Sequence, residues 1–110
     1  IGDQSFLYDH NGLYGQKIPQ NLVVCVLNNG VGGIFDWLPG TASTGPTAQR
    51  VFANAQNVNL EGIASAFGVD YESVSSVAAL VAALDTAEGA KIIDSKTEQR
   101  ANLAALAALR

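Results

Sequence analysis

Gly2-Asp3 and Asn28-Asn29 are the residues of this chain best suited to chemistry. Asp supplies a charged oxygen and Asn a neutral one. Joined by a backbone carbonyl and phosphate oxygens, they form the kind of oxygen set that octahedral Mg2+ takes. The glycines close by, Gly2, Gly30, Gly32 and Gly33, let backbone approach a phosphate, and a helix starting after such a cluster adds N–H dipoles. Each cluster also has an ordinary reading. Asp3 could simply cap a helix. Asn28-Asn29-Gly30 could be a tight turn, since Asn and Gly both accept left-handed backbone. Asp9 and His10 have the types of an acid–base pair, but neighbours along a helix do not face each other, so His10 reads as surface or substrate-proximal. Phe35 and Trp37 are either core residues or the lining of a pocket or interface. Cys25 lies inside an apolar run and reads as a small buried hydrophobe.

The elements that must hold these residues follow from periodicity and punctuation. Residues 5–14 read as a short helix capped by Ser5, with Phe6, Leu7 and Leu13 facing inward. Residues 22–27 (LVVCVL) are a continuous apolar, β-branched run, as expected of a parallel strand covered on both faces. Residues 39–49 (PGTASTGPTAQ) are poor in hydrophobes and rich in turn residues, so the segment around 39–50 is expected to be a mobile surface loop, with an active-site lid as the sharper reading that composition does not decide. Asn59 is placed to cap a helix over 60–67, with Gly68 as its stop. Strands are expected at 69–72 and 90–94. A helix over 77–87 is capped by Ser75 or Ser76, and a last helix runs from 97 to 110 with Leu103, Leu106 and Leu109 as an inner stripe. Alternation of strand and helix implies an α/β domain with a parallel, helix-flanked sheet. In such sheets ligands bind beyond the carboxyl ends of the strands, which is where Gly2-Asp3 and Asn28-Asn29 fall.

Composition narrows the function classes. The chain has 110 residues, 48% hydrophobic and 15% charged, enough for one packed domain. A net charge of −4, with no basic cluster, argues against nucleic acid as a partner. A single cysteine rules out an internal disulfide and fits a reducing compartment, so a cytoplasmic setting is expected. No apolar run is long enough to cross a bilayer, so no stable membrane insertion is expected. The sequence opens on Ile1, which reads as the last residue of a strand. On that reading the chain is a piece of a longer polypeptide, truncated at its N-terminus. The edge or face left open should then favour self-association.

The pattern Gly-Asp-x, then residues 5–27 as spacer, then Asn28-Asn29 resembles the diphosphate-binding signature of thiamine-diphosphate enzymes. The fuller strings are more specific. Residues 2–13 (GDQSFLYDHNGL) and 32–39 (GGIFDWLP) look like the family of 2-succinyl-5-enolpyruvyl-6-hydroxy-3-cyclohexene-1-carboxylate synthases of menaquinone and phylloquinone biosynthesis. Residues 55–61 (AQNVNLE), 66–68 (AFG), Tyr71, 92–94 (IID), Thr97 and Asn102 fit as well. The resemblance covers essentially all of the chain, as the C-terminal part of the thiamine-diphosphate-binding domain. Its tail is less specific than its start.

The resemblance implies a transferase that adds the succinic semialdehyde unit of 2-oxoglutarate to isochorismate, using thiamine diphosphate and Mg2+ (or Mn2+). It implies that Asp3 and Asn29 ligate the metal through side chains and Val31 through its carbonyl. Gly2, Asp3, Ser5, Asn29, Gly32, Ile34 and Phe35 would contact the cofactor. Ile34, Phe35 and Leu38 would wall the substrate pocket. The family has Asn-Asn-Asn-Gly-Gly-Gly where this chain has residues 28–33 as NNGVGG, and Val31, stiffer than Gly, is expected to resist the same backbone angles. The Glu that activates the cofactor, and the basic groups for acidic substrates, would lie on other segments. No catalytic residue is therefore assigned here, and these 110 residues alone are expected to be inactive. Homo-oligomers with shared sites are implied as well. Two further readings stay open: another thiamine-diphosphate enzyme, such as an acetolactate synthase or a 2-oxoacid decarboxylase, and a stand-alone, non-catalytic α/β module. The run 8–13 (YDHNGL) weighs against the former.

Overall fold

The computed structural model describes residues 1–15 and 17–109. The chain divides into two compact units, one of Ile1–Asn28 with Val58–Lys96, the other of Asn29–Asn57 with the chain from Thr97.

The first unit is a parallel sheet covered on both faces. Its strands are β1 (Val23–Asn28), β2 (Asp70–Val74) and β3 (Lys91–Lys96), in the order β1-β3-β2. Val24 pairs with Ile92 and Val26 with Asp94 across one ladder, while Tyr71 pairs with Ile92 across the other. β3 is the central strand, and residues 92–95 are all buried. Successive residues of a strand point to opposite faces. Ile92 accordingly packs with Val26, Phe6, Leu60 and Ala64, and Ile93 with Val74 and Ala83. Phe6 comes from α1 (Asp3–Asp9), Leu60 and Ala64 from α4 (Leu60–Phe67), and Ala83 from α5 (Val77–Asp85). Both isoleucines are fully buried, each contributing about 1.5–3 kcal/mol of transfer free energy. β3 thus makes a double-sided core, as expected of a buried strand there, whereas in β1, the run expected to be covered on both faces, Val26 is buried and Leu27 is exposed.

The β1 edge away from β3 also carries backbone. Leu27 N–H donates to the Ile1 carbonyl at 2.8 Å, and Gly2 bridges Leu27 in parallel. Ile1 therefore occupies a strand track, as expected, and α1 departs from its carboxyl end. The helix begins two residues earlier than expected. Gly2 is the N-cap and makes no side-chain cap bond, so Ser5 lies within the first turn, exposed, and is not the cap. Extended backbone at Gly2 brings its carbonyl to the Phe6 N–H at 2.9 Å, which starts the helix without a side-chain acceptor. A single 3-10 turn over His10–Leu13 follows. His10 Nδ1 meets the Leu7 carbonyl at 2.7 Å, and its ring packs near Phe6 and Phe67. Cys25 is half-buried and free.

The second unit differs more from expectation. The segment read as an irregular loop contains two short helices, α2 (Pro39–Ala42) and α3 (Pro46–Ala53). Each proline stands at the start of its helix, where its missing N–H costs nothing and its fixed φ suits the first turn. The final helix, α6, spans Gln99–Ala108, and the expected end at Arg110 lies outside the described residues. Its leucine stripe is not a buried core: Leu103 and Leu106 are half-buried and Leu109 is exposed.

Candidate functional site

Asp3 is one of the few charged residues held out of water. It stands in the first turn of α1 and is 2% exposed. Gly2, before it, is exposed, and a Cβ there would meet nothing within 4 Å. Packing within the chain therefore does not demand glycine at this position.

A polar network lies across the same sheet. Asp94, on β3, is 2% exposed. Asn28 Nδ2 donates to its Oδ1 at 3.0 Å, and the Tyr71 hydroxyl donates to its Oδ2 at 2.8 Å. Burial, and then the bond to Asp94, push the Tyr71 phenol above its ordinary pKa. Asn28, the last residue of β1, is thus anchored to the central strand just before the chain reaches Asn29.

Asn29, Val31, Gly32, Ile34, Phe35 and Leu38 all belong to the second unit. Gly30, with φ +72°, starts a loop that the end of α3 and the segment after it clamp by backbone. Gly32 N–H donates to the Ala53 carbonyl at 2.6 Å, and Gln56 N–H donates to the Gly30 carbonyl at 2.9 Å. Gly32 has φ −73° and ψ 69°, the inverse γ-turn, and Gly33 N–H accordingly reaches the Val31 carbonyl at 2.9 Å. That carbonyl keeps a second lone pair for another partner. Val31 does not have positive φ; among the described non-glycine residues only Asn54 does. The Val31 backbone is therefore of a kind open to any L-residue.

The Asn29 side chain is held from two sides. Its Nδ2 donates to Gln99 Oε1 at 2.8 Å, and its Oδ1 accepts a long bond, 3.3 Å, from the Val31 N–H. Gln99, the first residue of α6, donates its own Nε2 to the Gly33 carbonyl at 3.2 Å and to Asp36 Oδ2 at 2.8 Å. Gly33 is buried beneath them. A Cβ there would lie 2.5 Å from Gln99 Oε1 and 2.6 Å from Asn29 Nδ2. The apolar candidates behave differently from one another. Phe35 is half-buried, with its ring centroid 5.8 Å from that of Phe52, whereas Ile34 and Leu38 are exposed.

Gln99 and Asp36 were not singled out by the sequence reading. The available signal was positional: Gln99 follows β3 by three residues, in the zone beyond a strand's carboxyl end where ligand contacts gather. Among the described residues no group of three or more His, Cys, Asp or Glu is gathered to hold a metal. Within the second unit, Asn29 and Val31 carry an amide oxygen and a carbonyl, and within the first unit Asp3 carries a carboxyl, each an oxygen donor of the kind hard cations take.

Residues 1–95 match the family described as thiamine pyrophosphate enzyme, C-terminal TPP binding domain. Among curated proteins, the chain is similar to the 2-succinyl-5-enolpyruvyl-6-hydroxy-3-cyclohexene-1-carboxylate synthase of Synechococcus elongatus, with 34% identity over 106 residues, covering 94% of this chain and 18% of that protein. The protein of the same name from Chlorobaculum tepidum is 39% identical over 107 residues, with the same two coverages. That from Chlorobaculum parvum is 47% identical over 77 residues, covering 69% of this chain and 13% of the relative. The chain spans about a fifth of the length of the curated relatives it matches.

Proposed function

Since the chain belongs to the thiamine pyrophosphate enzymes, through their C-terminal TPP-binding domain, we propose that it holds the diphosphate and divalent cation of thiamine diphosphate. The enzyme it serves joins the succinic semialdehyde unit of 2-oxoglutarate to isochorismate in menaquinone biosynthesis. The observation that carries this reading is the placement of the two polar clusters on the chain. Asp3 follows the backbone track paired in parallel with the end of β1, and Asn29 is the residue after β1. These are the carboxyl ends of neighbouring parallel tracks, where α/β sheets receive ligands.

In this reading Asp3 and Asn29 supply side-chain oxygens to Mg2+ (or Mn2+), and Val31 supplies its carbonyl. Gly2, Ser5 and Gly32 border the diphosphate. Ile34, Phe35 and Leu38 exclude water beside the reacting end of the cofactor, which explains why two of these three large apolar side chains are exposed in the chain alone. Bound thiamine diphosphate supplies the carbanion chemistry, and the protein supplies orientation and electrostatics. The groups that activate the cofactor and bind the acidic substrates belong to other segments, so these 110 residues alone turn over no substrate. Association of copies to complete the site, and a cytoplasmic setting, belong to the same proposal.

Calorimetric titration with thiamine diphosphate and Mg2+ tests it. Asp3→Ala should lower cofactor affinity at least about tenfold, a loss of about 1.4 kcal/mol or more. Retained affinity in a folded Asp3→Ala protein would sink the assignment. In the enzyme, isochorismate should compete as a substrate where pyruvate does not.

A further inference from the structure

The orientation of the Asn29 side chain is fixed by chemistry as well as by placement. A primary amide has a donor end and an acceptor end of nearly equal size, and only its neighbours tell them apart. Asp36 Oδ2 and the Gly33 carbonyl can only accept, so the end of Gln99 that faces them must be Nε2. That leaves Oε1 toward Asn29, so the end of Asn29 facing Gln99 must be Nδ2. Oδ1 is then directed the other way, where its recorded partner among the described residues is the long bond from the Val31 N–H. A reversed Asn29 would set oxygen against oxygen at Gln99 and N–H against N–H at Val31. Gly33 keeps the junction open, because any Cβ there would intrude on both amides.

We propose that Gln99 is a positioning residue that relays the polarity of Asp36 and the Gly33 carbonyl to Asn29, so that Asn29 presents its oxygen, and not its NH2, to the divalent cation. This rests on the cofactor reading above and extends it to a residue that touches neither cofactor nor metal. Partners that orient metal ligands in this way commonly govern metal affinity by about 10- to 100-fold.

The test is a double-mutant cycle read by Mn2+ binding, followed by electron paramagnetic resonance in the presence of thiamine diphosphate. Gln99→Leu should weaken Mn2+ binding by about 10- to 100-fold in the Asn29 background. In the Asn29→Asp background the two side-chain oxygens are equivalent and orientation no longer matters. There the same Gln99→Leu change should cost no more than about twofold, the ordinary scatter of independent sites. Equal losses in both backgrounds would mean that Gln99 is merely structural, and no loss in the Asn29 background would remove it from the site; either overturns the proposal.

The Asn29 side-chain amide resonance gives a readout that needs no metal. A hydrogen-bonded Nδ2 proton should be present in the native chain and absent in Gln99→Leu, which offers Asn29 no acceptor. Persistence of that resonance unchanged in a folded Gln99→Leu protein would overturn the relay. Absence of Mn2+ binding to the native protein, with the amide bond intact, would sink the cofactor reading and this inference with it. Binding that Asn29→Ala abolishes but Gln99→Leu spares would sink the inference alone.

Discussion

Asp94 has both carboxyl oxygens occupied, one by an amide at the end of β1 and one by a phenol from β2. The carboxyl is buried, so these bonds replace those that water would give. The Tyr71 phenol, pushed upward by burial and by Asp94, carries a pH signature. The folded state favours its protonated form. The stabilisation is therefore complete below tyrosine's ordinary pKa and is lost as pH rises through the raised one. Urea melts across the alkaline range should show Tyr71→Phe with a shallower fall in stability than the native chain. At neutral pH the same change should cost about 0.5–1.5 kcal/mol for the lost bond. None of this network was legible in the sequence. Tyr71 and Asn28 lie 23 and 66 positions from Asp94, and only the sheet register brings them together. The places of Asp3 and Asn29 after strand ends were legible, because an apolar run and its polar stop lie next to each other in the chain.

At the scale of elements, the side-chain capping signal held for α4 and α5 and failed at Ser5, which lies inside α1. Asn59 accepts from Gly62 N–H at 3.1 Å and Ser76 from Ala79 N–H at 3.2 Å, starting α4 and α5. Gly68 closes α4 with φ +67°, the left-handed stop that glycine adopts without strain. Asn59→Ala and Ser76→Ala should each lower unfolding free energy by about 1 kcal/mol, read as a lower urea midpoint with an unchanged slope. The helices α2 and α3 escaped notice because proline both breaks a helix and begins one, and composition alone does not say which. Neither has a side-chain cap: Leu38 and Gly45 stand at their N-cap positions. The last helix kept its leucine spacing but not the burial that spacing implied, since a stripe is core only if something packs on it.

The molecule as a whole distributes its buried surface unevenly. Every residue of both hydrophobic clusters belongs to the first unit. In the second unit Gly33 alone is buried among the described residues, while Ile34, Trp37, Leu38, Val51 and Phe52 are exposed. Few buried apolar contacts mean a low local opening free energy. Hydrogen exchange should therefore find β3 amides the slowest in the chain and those of Gly33–Asp36 and α3 fast. Thiamine diphosphate with Mg2+ should slow exchange at Gly33–Asp36 and leave β3 unchanged. Uniform exchange across both units would contradict this division. No described helix is long and apolar enough to cross a membrane. The parallel, helix-covered sheet was readable from strand and helix alternation. The partition into a well-packed unit and a thinly packed one was not, because it depends on which apolar side chains find partners.

The tether on Asn29 also bears on how the chain ages. Asparagine followed by glycine is the pair most prone to lose its amide, since the unhindered glycine nitrogen can attack the side-chain carbonyl carbon. The chain has two such pairs, Asn11-Gly12 and Asn29-Gly30. Asn11 is exposed, and its clock runs with solvent. Asn29 is pinned through Nδ2 and Oδ1, and the carbonyl of Gly30 is fastened to Gln56, so the ring closure that begins deamidation has to break this scaffold first. The bonds that aim the amide therefore also preserve it.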